Sequence, residues 1–305
     1  HYFVTINKNT KYYNKEGKLT DNTGKIISTK KKLIKLINNE KNLGLVPTMG
    51  AIHSGHISLI NKSIYQCDVT IVSIFINRAQ FNNKNDFKKY PRVLKKDISI
   101  LNRLNIEYAF FPDEEYMFPE SGFDKLDAGN LGKKYEGNSR PGHFDGVITV
   151  VNRLFELIAP KTAVFGAKDF QQLFLINKLI LEKKYNIKLI ENKTVRNSSG
   201  LALSSRNQHL SNKGIHQASF IYKSLNAAKD EFIKTNNTID AVKVGTDILF
   251  DNNIDLDYFE ILDYKTFSPP KNTTKKFIII VAAYVEGIRL IDKIQFEVGA
   301  TKWKI

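Results

Sequence analysis

Two histidines three residues apart, His53 and His56, stand in PTMGAIHSGH (residues 47–56) with glycines at 50 and 55. An apolar run at 43–46 precedes them and a helix-like spacing follows (Ile57, Ile60, Ile64), so they mark the point where a strand hands over to a helix. A helix starting near Ser54 would aim its unpaired N–H groups and the positive end of its dipole into the loop, which favours phosphate. Imidazoles beside that terminus can donate to phosphate oxygens as negative charge builds during a displacement. Pro47 is expected to end the strand, Gly50 to allow a tight turn, and Gly55 to let a ligand approach the backbone. Zinc is the weaker reading, because a third or fourth ligand is not evident nearby.

Three further stretches carry groups of the same kind. VFGAKDFQQL (164–173) repeats the strand-to-helix junction, with Lys168 as a point charge for phosphate. Asp169 is placed to cap the helix, to hold a ribose hydroxyl or to hold a metal-bound water, and Gln172 follows on the same face. GLALSSRN (200–207) sets the hydroxyls of Ser204 and Ser205 beside the guanidinium of Arg206, a compact anion clamp. SIFINRAQF (73–81) closes a strand with Asn77 and Gln80, uncharged groups able to read hydroxyls or a carboxylate.

The elements that must position these groups follow from hydrophobic periodicity. Strands are expected at 44–47, 69–76, 107–111, 162–166 and 187–195. Between them, Leu94, Ile98 and Leu101 mark one helix face, Val147 to Ile158 a second, and Leu173, Ile176 and Ile180 a third. Strand–helix alternation with nearly continuous apolar strands predicts an α/β domain with a parallel sheet covered on both faces, its sites at the carboxyl ends of the strands. After about residue 195 two helical stretches (215–233, 238–250) precede strands at 258–262, 277–285 and 288–298, which predicts a smaller α+β domain. The division expected is a polar extension at 1–25, the sheet domain at 26–193 and the smaller domain at 194–305.

Composition excludes several classes. One cysteine, Cys67, rules out an intrachain disulfide and a multi-thiolate zinc site, and suits a reducing, cytoplasmic setting. The longest apolar run, FIIIVAAYV at 277–285, is too short for a membrane helix, and no secretory leader is evident. The net charge of +15 is spread along the chain with no long block of one sign, which argues against a nucleic-acid partner.

Taken in order, PTMGAIHSGH, VSIFINRAQF, YPR (90–92), SRPGHFDGV (139–147), FGAKDFQQL, GLALSSRN and RLIDK (289–293) resemble the pantothenate synthetases, or pantoate–beta-alanine ligases, over about residues 25–293. Seven linked motifs are far more specific than the histidine pair, which the wider nucleotidyltransferase superfamily shares. A tRNA synthetase would need a KMSKS-like loop, where this chain has ALSSRN, and an anticodon module larger than the hundred or so residues that follow.

The resemblance implies a Rossmann-like domain with a smaller C-terminal domain closing over it, in a cytoplasmic homodimer. It implies a two-step reaction with ATP and Mg²⁺: the pantoate carboxylate attacks the α-phosphate to give pantoyl adenylate and pyrophosphate, and the amine of β-alanine then releases AMP. That amine must be unprotonated, so activity should rise with pH above neutral. By the same resemblance Met49, Gly50, Ala51, Ile52, His53, Ser54, Gly55 and His56 form the ATP-contacting loop, with His56 the proton donor. Gly166, Ala167, Lys168 and Asp169 line ATP, Val195 meets adenine through its backbone, and Leu203, Ser204, Ser205 and Arg206 close on the triphosphate. Gln80 meets pantoate and β-alanine and Gln172 holds pantoate, with Asn77 and Arg140 as second contacts. No metal ligand set is assigned, although Asp97 is a candidate for holding Mg²⁺ through water, and the loop at 82–89 is a candidate gate. Three residues depart from the family pattern: Arg78 for the usual Pro, Ala167 for a polar residue, and Ser199 for the usual Asp.

Overall fold

The computed structural model describes residues 42–81, 87–88, 90–106 and 108–299, and the backbone of three short N-terminal strands. The expected extension, apart from those strands, and most of the candidate gate at 82–89 lie outside the described residues. Two compact units result, His1–Gly166 with Leu175–Asn192, and Ala167–Phe174 with Lys193–Ile305. The segment 167–174 therefore groups with the second unit although it follows the first unit's strand in sequence.

The strands of the first unit are β1 (Phe3–Thr5), β2 (Tyr12–Tyr13), β3 (Leu19–Thr20), β4 (Leu43–Thr48), β5 (Val69–Ile74), β6 (Tyr108–Phe110), β7 (Thr162–Gly166) and β8 (Lys188–Asn192). Its main sheet runs β1-β6-β5-β4-β7-β8, with β4 to β8 parallel and β1 antiparallel on the outer edge of β6. The parallel strands thus wind outward from β4 in both directions, the doubly wound Rossmann-like order, and the winding reverses between β4 and β7. Their residues are buried because helices cover the sheet: Val46, Val72, Ala109 and Val164 pack with Ile60 of α1 (Ser54–Gln66) and with Ile100 and Leu101 of α2 (Leu94–Arg103). A third helix, α3 (His143–Ile158), presents Val147, Val150, Val151, Leu154 and Ile158 as a buried face.

Pro47 does not end its strand, contrary to the sequence expectation. The strand continues to Thr48, and Pro47 keeps register with Ser73 of β5. Pairing with β7 covers only Gly44 and Leu45, so the missing N–H of Pro47 falls where that ladder has already stopped.

α4 (Phe170–Glu182) begins in the segment that groups with the second unit. That unit also contains α5 (Asn212–Thr235), α6 (Thr238–Asp251) and an antiparallel sheet of β9 (Asp255–Asp263), β10 (Lys276–Val285) and β11 (Ile288–Glu297), with β10 central. Ala218, Ile221, Leu225, Ala228 and Phe232 recur at helical spacing on α5 and are buried with Phe277, Ile279 and Val281 of β10. Ser211 caps α5 by accepting from Gly214 N–H, and Glu286 fixes Ser211 by accepting from its N–H and hydroxyl. The smaller unit is thus α+β, as the late change of sequence pattern predicts. Among the described residues no helix is long and apolar enough to cross a membrane.

Candidate active site

The loop after β4 leaves the sheet where the winding reverses, and each of its residues has a mechanical reason to be there. Thr48 Oγ1 donates to Ser73 O (2.8 Å) and accepts from Gly50 N–H (3.1 Å), pinning the strand exit. Gly50 and Ala51 then both take positive φ, 79° and 51°. For alanine this left-handed conformation costs about 1–2 kcal/mol. Opposite it lies Asp97, from the first turn of α2 and only 1% exposed. Its Oδ2 accepts from Ala51 N–H (2.9 Å) and its Oδ1 from Ile52 N–H (2.7 Å). Hydrogen bonds to a charged group contribute about 1.5–3 kcal/mol each, enough to offset the strain.

His53 is the N-cap of α1 and His56 its third residue, and together they close a reciprocal capping box. His53 Nδ1 accepts from Gly55 N–H at 3.1 Å, and His56 Nδ1 accepts from His53 N–H at 3.4 Å. The ring centroids lie 4.1 Å apart. An Nδ1 that accepts carries no proton, so in each neutral ring the proton sits on Nε2. Histidine in the capping-box role usually filled by Ser and Glu therefore sets both tautomers through bonds from the backbone. Gly55 has a place in the same feature: a Cβ there would meet His53 Cε1 at 2.8 Å, so the glycine makes room for the ring.

Asp97 is not placed as a direct metal ligand. Both oxygens are engaged by loop amides, and among the described residues no group of three or more His, Cys, Asp or Glu is arranged to hold a metal ion. The sequence did carry a signal for the brace. Asp97 falls within the apolar stripe Leu94, Ile98, Leu101, where an acid must be buried and needs buried donors.

Gln80 ends a short 3₁₀ turn, Arg78–Gln80, and is 8% exposed. Asn77 caps the turn by accepting from Ala79 N–H (3.1 Å) and donates to Gly146 O on α3 (2.9 Å). The carbonyl of Gln80 accepts from Arg140 Nη2 (3.3 Å) and lies 2.8 Å from His143 Nδ1, which must donate to it. Asn77 and Arg140 thus hold the turn that presents Gln80, and His143 joins them unforeseen from sequence. Arg78 is exposed on this turn. A Cβ on Gly146 would sit 2.7 Å from the carbonyl group of Ala79. Gly146→Ala should therefore cost about 1–3 kcal/mol by overpacking, read as a lowered thermal midpoint.

In the second unit the anion-clamp residues rest on a rigid platform. Leu203 N–H bonds to Val195 O (2.9 Å) and Arg196 bridges to Ala202, forming a small hairpin that joins Val195 to the 203–206 segment. Asn197 Oδ1 accepts from Ser199 N–H and Oγ and from Leu201 N–H, so Ser199 serves the hairpin turn. Gly200 has φ 88°, and a Cβ there would meet the Tyr222 ring at 2.6 Å. Arg196 lies 3.8 Å from the Tyr222 ring centroid, donates to Gly200 O, and grips Asp292 of β11 with two nitrogens (2.5 and 2.8 Å). Asp292 is 4% exposed. Burial pushes its carboxyl above the ordinary value, and the Arg196 fork and Lys293 N–H oppose that rise.

Ser204, Arg206, Lys168, Arg289 and Asp292 line one depression on this unit. Arg289 is held there by Asp257 (2.6 Å), and Lys168 Nζ lies 3.9 Å from Asp169. Ser204 caps the 3₁₀ turn Ser205–His209, accepting from Arg206 N–H. Arg289 and Lys168 thus each have a carboxylate beside them, and Arg206 joins them on the same lining. Asp169 precedes α4, with its carbonyl accepting from Leu173 N–H, and Ala167 is buried. Gln172 is half-buried beside the buried Gln171. The Arg196–Asp292 lock was missed from sequence, although RLIDK contains its carboxylate.

A doubly wound sheet whose switch point carries an imidazole-capped helix terminus defines a Rossmann-like nucleotide-binding protein. Comparisons with known proteins give the family. The profile described as pantoate-beta-alanine ligase matches residues 23–295. Curated relatives include the pantothenate synthetases of Caldicellulosiruptor saccharolyticus, 38% identical over 90% of this chain and 99% of the relative, and of Buchnera aphidicola subsp. Schizaphis graminum, 42% identical over 86% and 93%. Among solved structures, pantothenate synthetase from Thermus thermophilus aligns with TM-score 0.79 and 34% identity, covering 88% of this chain and 98% of that one. Pantoate-beta-alanine ligase from Francisella tularensis, complexed with beta-gamma ATP and beta-alanine, aligns with TM-score 0.71 and 36% identity, covering 89% and 97%. The chain belongs to the pantoate–beta-alanine ligase family.

Proposed function

We propose that this protein condenses pantoate with β-alanine to pantothenate in two steps, with ATP as co-substrate and pantoyl adenylate as the intermediate. The observation that carries the reading is the loop after β4, where two neutral imidazoles of fixed tautomer sit at a helix N-terminus on the switch point of the sheet. Adenylation moves negative charge onto the departing pyrophosphate, which Nε2–H groups of fixed tautomer and the positive end of the helix dipole would stabilise. The N–H groups of Gly50, Ala51, Ile52, His53 and Gly55 are already spent within the loop.

In this reading Met49 to His56 contact ATP, with His56 the proton donor and His53 a phosphate contact. Lys168, Ser204, Ser205 and Arg206 meet the polyphosphate, with Gly166, Ala167, Asp169, Val195 and Leu203 also lining the nucleotide. Gln80 and Gln172 take the organic acid, and Gln80 also takes the amine. Mg²⁺ belongs to the reading as the companion of the nucleotide's phosphates, its usual mode. No described cluster of protein ligands cages it. A homodimer and a cytoplasmic setting are taken from the family likeness alone.

The test is direct. With ATP, Mg²⁺ and pantoate the protein should release about one equivalent of pyrophosphate per site, and added β-alanine should turn this into continuous AMP formation. AMP production indifferent to pantoate or to β-alanine would overturn the assignment. Gln172→Ala should raise the pantoate KM on the order of tenfold or more, as for a lost buried hydrogen bond, with the ATP KM little changed. An equal rise for ATP would remove Gln172 from the acid pocket.

A further inference from the structure

We infer that Asp97 is the positioning residue of the nucleotide-contacting loop: it holds Ala51 in a left-handed conformation and so sets the direction in which His53 and His56 leave the sheet. The inference rests on the reading of that loop as the ATP contact, and it replaces the metal role expected of Asp97 from sequence.

The geometry is specific. A 1%-exposed carboxylate points both oxygens at consecutive backbone N–H groups, 2.9 Å from Ala51 and 2.7 Å from Ile52. Those residues lie two and one before the capping histidine His53. Ala51 is the only non-glycine residue with positive φ between 42 and 81, so the brace acts where the backbone most resists. Gly50 fits against the same carboxylate, since a Cβ there would meet Asp97 Oδ2 at 3.0 Å. Alanine at 97 would take the acceptors from one buried amide, Ile52, and one half-buried amide, Ala51. Asparagine keeps the shape but turns an NH₂ group toward one amide, a donor facing a donor. Released from the brace, Ala51 relaxes toward negative φ and carries the two imidazoles with it.

The experiment compares wild type, Asp97→Asn, Asp97→Ala and the double variant Asp97→Ala with Ala51→Gly, with thermal melts to establish that each is folded. Backbone hydrogen exchange at residues 51 and 52 should be protected in wild type and roughly tenfold or more faster in both single variants, a readout that needs no catalysis. Single-turnover pyrophosphate release should slow on the order of tenfold or more, as expected for misplaced donors. Glycine at 51 should recover part of that loss, because glycine reaches positive φ without strain. The Mg²⁺ concentration giving half-maximal rate should stay within about twofold of wild type, since Asp97 contributes no metal ligand. A tenfold rise in that concentration, with excess Mg²⁺ restoring the rate, would make Asp97 a metal-handling group and overturn the inference. So would a wild-type release rate in folded Asp97→Ala, or unprotected amides at 51 and 52 in wild type. A wild-type protein that makes no AMP from pantoate and β-alanine would sink the ligase reading instead, and the exchange result would still decide what Asp97 does.

Discussion

Replacing His56 with alanine will slow adenylate formation on the order of a hundredfold or more, the loss that follows removal of one pre-aimed donor from a developing negative charge. The substitution also breaks half of the capping box, because His56 Nδ1 no longer accepts from His53 N–H. The two effects separate with His56→Gln. Glutamine is a favoured residue at this third helical position, and its carbonyl can take the same N–H. His56→Gln should therefore regain the stability that alanine loses, about 0.5–1 kcal/mol for a cap, and regain none of the rate. Single-turnover pyrophosphate release and thermal melts of the two variants decide it. If glutamine restored the rate along with the melting point, His56 would be a structural cap and the chemistry would lie elsewhere.

The largest expected stability effect belongs to Arg196→Ala. Its guanidinium provides the two side-chain bonds to the buried carboxylate of Asp292 and stacks on Tyr222. Removing one partner of a buried pair costs about 3–5 kcal/mol, because the remaining buried charge loses its direct hydrogen-bonded partner. The melting transition should fall by roughly 10–15 °C. The pH dependence has a definite sign. Burial already raises the Asp292 carboxyl, and without Arg196 nothing of comparable strength opposes it. The folded variant then holds its proton more tightly than the unfolded chain does. Its stability is retained below the unfolded carboxylate value of about 3.9 and lost as pH rises, so the deficit against wild type is smaller near pH 4 than at pH 7. Arg196→Met with Asp292→Leu should recover most of the loss, and calorimetry across that pH range checks both statements. A deficit independent of pH would mean that the lost ring stacking, not the stranded carboxyl, sets the cost.

How much of this was legible beforehand depended on whether the relevant physics was local. The strands and helices were, because burial imposes periods of two and 3.6 on neighbouring residues. TAVFG at 162–166 and the face running from Val147 to Ile158 became β7 and α3. The helix start at Ser54 was also readable from glycine and histidine spacing. What sequence did not yield were interactions that close over long separations. Asp97 reaches back 46 residues to Ala51, and Arg196 reaches 96 residues to Asp292. No local pattern states which buried carboxylate will meet which donor. Pro47 failed for a related reason: a proline breaks a strand only where its N–H is wanted, and that depends on a neighbour more than a hundred residues away.

The central place of β4 has a consequence for how the molecule is made. Its neighbour β7 comes from far downstream: Thr162 Oγ1, at the start of β7, bonds to Asn42 Oδ1 across 120 residues. At ribosomal speeds of about 5–20 residues per second, β4 waits roughly 6–24 s for that partner. Throughout that interval the strand beneath the histidine loop shows the nascent chain's surroundings a bare edge, the kind of surface on which chains stick to one another and chaperones act.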